Sequence, residues 1–254
     1  MARTAVVTGG ASGIGRRTAE RLVTEGWTVW ALDISADAPT EQSVPKAAPG
    51  RFHYVTCDVT DVESVKHAIE AIRQETDTID ALICSAGVIR PNSLEDYSIE
   101  EVDLMLGVNV KGPWLSIREA LPLLRNGATT DDPARVVIVG SIGGIRPKVG
   151  SGFYAATKAA VHVLAGVFAV ELAETGVVVN AVAPGTVATP MVEEAVANNR
   201  SSSYHPSGAS PLGRIGQPDD VADVILFFLS DAAKFVNGTV LPVDGGTRAA
   251  FVKN

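Results

Sequence analysis

The chain has 254 residues, 46% apolar and 20% charged, with a net charge of −8 and no basic run. This is globular rather than disordered composition, and without clustered Lys and Arg neither nucleic acid nor an anionic membrane surface is an expected partner. No apolar stretch is expected to reach the ~20 residues of a membrane span, and Met1-Ala2-Arg3 runs into an apolar strand with no signal-peptide layout, which points to a cytoplasmic protein.

Thr4 to Thr8 reads as the first strand, and it delivers the chain into Thr8-Gly9-Gly10-Ala11-Ser12-Gly13-Ile14-Gly15 at the start of the first helix. Glycines at such a junction permit a tight turn and let the free N–H groups of the helix approach a pyrophosphate. Taken alone, the same turn also fits a plain strand-helix connection. The second strand, Thr28 to Leu32, is closed by Asp33, 18 residues beyond Gly15. A carboxylate there can hydrogen-bond adenosine ribose hydroxyls, and it repels a 2′-phosphate by roughly 4 kcal/mol at ~4 Å and an effective dielectric of ~20. That favours NAD(H) as cofactor. Arg16 and Arg17 complicate the choice, since either can offset a phosphate, but they fall inside the helix rather than at the tip of the second strand.

Pro39, Pro45 and Pro49 leave room only for a loop or one short helix before the third strand, Phe52 to Thr56. Val62, Val65, Ala68, Ile69 and Ile72 then recur at helical spacing, with polar residues on the other face. The fourth strand, Ala81 to Cys84, follows. Cys57 and Cys84 each end an apolar run and read as reduced core thiols, so neither a disulfide nor a metal site is expected.

Arg135 to Val139 is the fifth strand, apolar enough to be covered on both faces. Ser141 lies just past it, at the carboxyl edge of the sheet where open α/β folds bind ligands. Tyr154 and Lys158 share one face of an alanine-rich helix. A free tyrosine titrates near ~10; lowering that to ~7 takes about 4 kcal/mol, which a lysine ammonium and a positive nicotinamide ring in a dry pocket can supply. Val177 to Val182 and Thr239 to Val243 are the last two strands. The polar, irregular stretch from Pro190 to about Leu212 between them reads as a substrate lid. The alternation of strands and helices predicts an α/β fold: a single doubly wound Rossmann domain over residues 1–254, with a seven-stranded parallel sheet and helices on both faces.

Over essentially its whole length the sequence resembles the short-chain dehydrogenase/reductase family. The family's cofactor turn, Thr-Gly-x-x-x-Gly-x-Gly, is matched by Thr8, Gly9, Gly13 and Gly15, with Ser12 and Ile14 inside it. Its adenine-contacting Asp-Val is matched by Asp58-Val59. Its active-site Asn, Ser and Tyr-x-x-x-Lys are matched by Asn109, Ser141, Tyr154 and Lys158. Its Pro-Gly-x-x-x-Thr is matched by Pro184, Gly185 and Thr189, spanning Val187, and its terminal Asp-Gly-Gly by Asp244-Gly245-Gly246. Two places depart from the pattern. Cys84-Ser85-Ala86-Gly87 stands where Asn-Asn-Ala-Gly is common, keeping the small residues Ser85, Ala86 and Gly87 beside the cofactor, and Val139-Gly140 replaces Asn-Ile-Ser before the serine.

The resemblance implies a role for each residue. Tyr154 exchanges the proton with the alcohol oxygen, and Lys158 tunes Tyr154 and holds the nicotinamide ribose. Ser141 orients the substrate oxygen, Asn109 anchors a water, and Thr189 fixes the carboxamide. The expected reaction is hydride transfer between NAD(H) and a secondary alcohol or ketone, catalysed by a homotetramer or dimer. Three alternatives stay open: an NADP(H)-dependent ketone reductase, a non-catalytic dinucleotide-sensing module, and an enoyl reductase. The related enoyl enzymes space their lysine farther from the tyrosine. Arg90, Arg146 and Lys148 are candidate partners for an anionic substrate group or plain solvated cations; Tyr204 and His205 can line a closed lid, and His162 reads as a packed histidine.

Overall fold

A computed structural model describes residues 2–35, 50–197 and 208–249. Seven strands form one parallel sheet: β1 (Thr4–Thr8), β2 (Thr28–Asp33), β3 (Arg51–Thr56), β4 (Ala81–Cys84), β5 (Ala134–Val139), β6 (Val177–Pro184) and β7 (Val240–Val243). Their spatial order is β3-β2-β1-β4-β5-β6-β7. The order reverses between β1 and β4, where Thr8 lies in register with both Leu32 and Cys84. Beyond the carboxyl ends of these two strands opens the crevice in which such sheets hold ligands. The expected α/β doubly wound architecture is present.

The helices are α1 (Gly13–Thr24), α2 (Val62–Arg73), α3 (Ile99–Leu106), α4 (Gly112–Arg125), α5 (Gly152–Glu171), α6 (Pro190–Ala197) and α7 (Pro218–Leu229). Because strand side chains alternate in direction, Ala5, Val7, Val29, Ile83 and Val137 point toward Leu22 of α1 and Ile225 and Phe228 of α7. Val6, Leu82, Val136 and Ile138 point the other way, into a core with Ile69 of α2, Leu115 and Leu124 of α4 and Val161 of α5. Burial on both faces explains why these strands carry no polar alternation.

Two expectations need correction, and two fall outside the described residues. The stretch from Pro190 is not irregular at its start: Pro190–Ala197 is helix α6, because Pro190 suits the first helical turn and Met191 and Ala195 pack with Ile89 and Tyr154. The rest of the expected lid up to residue 207, with Tyr204 and His205, lies outside the described residues, as does the Pro39–Pro49 stretch. Finally, α5 does reach membrane-span length, with 20 residues and a mean hydropathy of 1.5 over its most apolar window. Its apolar character has a cause within this fold, since Val161, Ala165 and Ala169 face the core while Lys158 is buried at its site end.

Candidate active site

A cavity of about 330 Å³ lies along the carboxyl ends of the strands. Its floor at one end is the glycine turn. Gly9 adopts φ +69°, and a Cβ there would fall 2.7 Å from the Ala86 nitrogen, so only glycine lets the turn lie against the exit of β4. Thr8 fixes the same junction from beneath, its Oγ1 accepting from the N–H groups of Ser85 and Ala86 at 3.2 and 3.3 Å. Gly15 is excluded from any substitution by the Gly9 carbonyl, 2.2 Å from where a Cβ would stand. Ser12 precedes α1 without capping it through its side chain, which leaves first-turn N–H groups available for an anion. The positive φ of Gly13, +53°, turns the backbone at this point. A phosphate-bearing cofactor therefore fits the residues present.

Asp33 ends β2 on the cavity wall. Its carboxylate accepts from the Ala11 N–H at 3.0 Å and from the Ser35 N–H at 3.1 Å. The helix arginines turn elsewhere: Arg17 donates to Asp219 of α7 at 2.7 Å and Arg16 to Glu20 at 2.9 Å. Neither lines the cavity. Asp58 and Val59 do, and Asp58 braces the turn into α2 by accepting from both the N–H and the hydroxyl of Thr60 at 2.8 Å.

Toward the other end the cavity is walled by Ser141, Tyr154 and Lys158, with Pro184, Gly185, Val187 and Thr189 arriving from β6. Lys158 is buried, and its ammonium donates to the Val139 carbonyl at 3.0 Å and lies 5.7 Å from the centroid of the Tyr154 ring. Loss of hydration pushes its pKa down to about 8. The Ser141 hydroxyl oxygen accepts from the Gly143 N–H at 3.0 Å. That contact uses a lone pair and leaves the hydroxyl proton to donate toward a ligand oxygen.

Asn109 stands behind this wall rather than in it, fully buried in a π-helical turn, Gly107–Lys111, between α3 and α4. Its side chain accepts from the Val88 N–H and donates to the Val88 carbonyl, both at 2.9 Å, and donates to Thr157 Oγ1 at 3.1 Å. Thr8 and Gly15 likewise support the cavity without lining it; the other sequence-predicted site residues line it. None of Arg90, Arg146 and Lys148 does. Arg90 faces Glu194 at 3.8 Å, and Arg146 donates to the Thr247 carbonyl.

Sequence reasoning missed the apolar wall: Cys57, Val88, Val139, Met191 and Val192 among others. Apart from the Cys57 thiol these side chains carry no reactive group, and only their position after strand ends points to them. Burial pushes the Cys57 thiol up to about 11, which keeps it protonated. Among the described residues no cluster of His, Cys, Asp and Glu forms a metal site.

Comparison with known proteins gives a consistent picture. A family model described as enoyl-(acyl carrier protein) reductase matches residues 9–248. The chain is 37% identical to a 3-oxoacyl-[acyl-carrier-protein] reductase of Thermotoga maritima, over 95% of this chain and 96% of that one. It is 34% identical to levodione reductase of Leifsonia aquatica, over 98% and 95%, and 34% identical to cyclopentanol dehydrogenase of a Comamonas species, over 96% of each. The crystal structure of levodione reductase superposes with a TM-score of 0.88 at 33% identity, over 98% of each chain. A 3-ketoacyl-(acyl-carrier-protein) reductase from Brucella melitensis, crystallised with NADH, superposes with a TM-score of 0.85 at 29% identity, over 96% of this chain and 98% of that one.

Proposed function

The chain belongs to the short-chain dehydrogenase/reductase family and is an oxidoreductase of that family; on that premise we propose that it transfers a hydride between NAD(H) and a neutral secondary alcohol or ketone, with Tyr154 as acid/base. The observation that carries this reading is the convergence of the glycine turn, Asp33, Ser141, Tyr154 and Lys158 on one cavity at the reversal of strand order.

Gly9, Gly13 and the open start of α1 would hold the pyrophosphate, and Asp33 the adenosine ribose. Pro184, Gly185, Val187 and Thr189 would seat the nicotinamide end. When bound, the nicotinamide supplies the site that accepts a hydride from the alcohol carbon or returns one to the ketone. The rest falls to the protein. In the oxidising direction the Tyr154 phenolate takes the hydroxyl proton while the carbon gives up its hydride, leaving a carbonyl; reduction runs the same transfers backward. The Lys158 ammonium favours the phenolate through its charge. The Ser141 hydroxyl donates to the reacting oxygen and fixes its distance from Tyr154.

NAD(H) is preferred over NADP(H) because Asp33 stands where a 2′-phosphate would lie and both nearby arginines are engaged by acidic partners. A neutral substrate is favoured because the cavity wall includes the apolar Val88, Met191 and Val192, and none of the three loop cations lines it. Relatives named for levodione and cyclopentanol support a compact ring ketone or alcohol. Reaction at a carbonyl rather than at a carbon–carbon double bond is supported by the one-turn spacing of Tyr154 and Lys158. A sensing module without catalysis has no support in a site that keeps all four proton-transfer residues. We also propose a homo-oligomer, a dimer or tetramer.

The test is NADH formation from NAD⁺ across neutral and carboxylate-bearing secondary alcohols, with NADP⁺ and Tyr154→Phe run alongside. Turnover with NAD⁺ and neutral alcohols, lost in the variant, is the expected result. Undiminished turnover by the variant would remove Tyr154 from its role, and preference for NADP⁺ would overturn the cofactor assignment.

A further inference from the structure

The exit of β5 lies against one face of α5 residue by residue. Tyr154, Lys158 and His162 are spaced by one helical turn each and share that face. Lys158 donates to the Val139 carbonyl at 3.0 Å, and the Ser141 N–H donates to His162 Nε2 at 3.4 Å. Gly140, between them, has the imidazole against its Cα: a Cβ there would fall 2.2 Å from Nε2. Gly144 closes the slot on the other side, where a Cβ would fall 2.9 Å from His162 Cε1 and 2.6 Å from the Lys158 carbonyl carbon. The strand cannot slide away to relieve this contact, because the Gly140 N–H is bonded to the Val182 carbonyl of β6 at 2.8 Å. The ring is thus held in a slot cut by two glycines, with one nitrogen aimed at the serine's own peptide.

We propose that His162 is a positioning residue: its Nε2 lone pair fixes the Gly140–Ser141 peptide and so holds the Ser141 hydroxyl at the reacting oxygen. This rests on the role given to Ser141 above. An acceptor at Nε2 places the ring proton on Nδ1. Burial, with the charge of Lys158 added, pushes the imidazole pKa down to about 4, so the acceptor form persists at neutral pH. The same arrangement accounts for the glycine that replaces a larger residue before the serine, since His162 occupies the volume a side chain at 140 would need.

Two full-length variants test this, with the wild type beside them. His162→Leu fills the slot without an acceptor, and His162→Gln places an amide oxygen near the position of Nε2. The expected result is a fall in kcat of about tenfold in the leucine variant, the size of one lost hydrogen bond. NAD⁺ affinity should change by less than about twofold, and the glutamine variant should recover most of the rate. Independently, ¹⁵N-histidine spectra of the wild type, recorded without substrate, should show a neutral His162 with its proton on Nδ1. Wild-type kcat in the leucine variant, or a proton on Nε2, would overturn the proposal. The tautomer is read without turnover, so it judges His162 even if the functional reading fails on the alcohol panel or the leucine variant does not fold.

Discussion

Lys158 shows at the scale of one side chain how the site works against the fold. Its nitrogen is withdrawn from water and held mainly by one carbonyl, and its pKa falls from 10.5 to about 8. A lysine with a depressed folded pKa binds more protons unfolded than folded between those two values, so stability rises with pH across that window. Below about pH 8 the buried charge weakens the fold, and the penalty lifts as pH passes from about 8 toward 10.5. At ~1.4 kcal/mol per pK unit, urea denaturation of wild type and Lys158→Met should diverge by about 2–3 kcal/mol in favour of the wild type on going from pH 7 to pH 10. A gap that stays constant with pH would mean the ammonium remains hydrated. Asp33 acts by charge as well. Its carboxylate is fixed by the Ala11 and Ser35 N–H groups. If half of the ~4 kcal/mol repulsion is realised, Asp33→Ser should raise kcat/KM for NADP⁺ relative to NAD⁺ about thirtyfold. An unchanged ratio would locate cofactor choice elsewhere.

The element that ties the site together is the π-helical turn Gly107–Lys111, a feature that often marks functional positions in helices. It turns Asn109 inward, where one amide joins the exit of β4 at Val88 to α5 at Thr157, and Thr157 in turn donates to the Tyr154 carbonyl at 2.7 Å. Asn109→Ala leaves the partly buried Val88 N–H and carbonyl without that partner, at about 1–2 kcal/mol each. Denaturation should therefore show a loss of about 2–4 kcal/mol, and kcat should fall further than NAD⁺ affinity; a stable variant with normal kcat would reduce Asn109 to filler. Asn109 was legible as a match to the family's pattern, but the turn that holds it was not legible in Gly-Val-Asn-Val-Lys, whose composition does not distinguish a π turn from an α turn. What was legible follows from local cause. β1 and β4 begin and end where their apolar runs do, and the cofactor turn and the Tyr154–Lys158 pair depend only on neighbours in sequence. β6 runs on to Pro184 because β7 pairs with it there, and α6 begins inside a stretch dominated by polar residues. The fate of Arg17 depended on Asp219, 202 residues away, and that of Gly140 on the His162 ring packed against it from α5.

At the scale of the molecule, the outer face of α5 is apolar and exposed among the described residues. Val163, Val167 and Val170 recur at helical spacing and are 66%, 45% and 79% exposed. Gly166 lies in the middle of that helix, and a Cβ added there would meet nothing within 4 Å. Glycine in a helix interior costs about 1 kcal/mol relative to alanine, and nothing among the described residues uses its small size. A second copy would. Two α5 helices packed about a two-fold axis could approach closely at Gly166 and bury both valine stripes. The two possibilities separate cleanly. If the chain is a monomer, Gly166→Ala should raise unfolding stability by about 1 kcal/mol and change nothing else. If α5 pairs with α5, the same methyl falls between two backbones. Sedimentation equilibrium should then show wild type as a dimer or tetramer, Gly166→Ala dissociating at higher concentration, and Val167→Lys monomeric. A monomeric wild type would remove the assembly altogether. A Val167→Lys variant as tightly associated as wild type would keep the assembly but move its interface off α5.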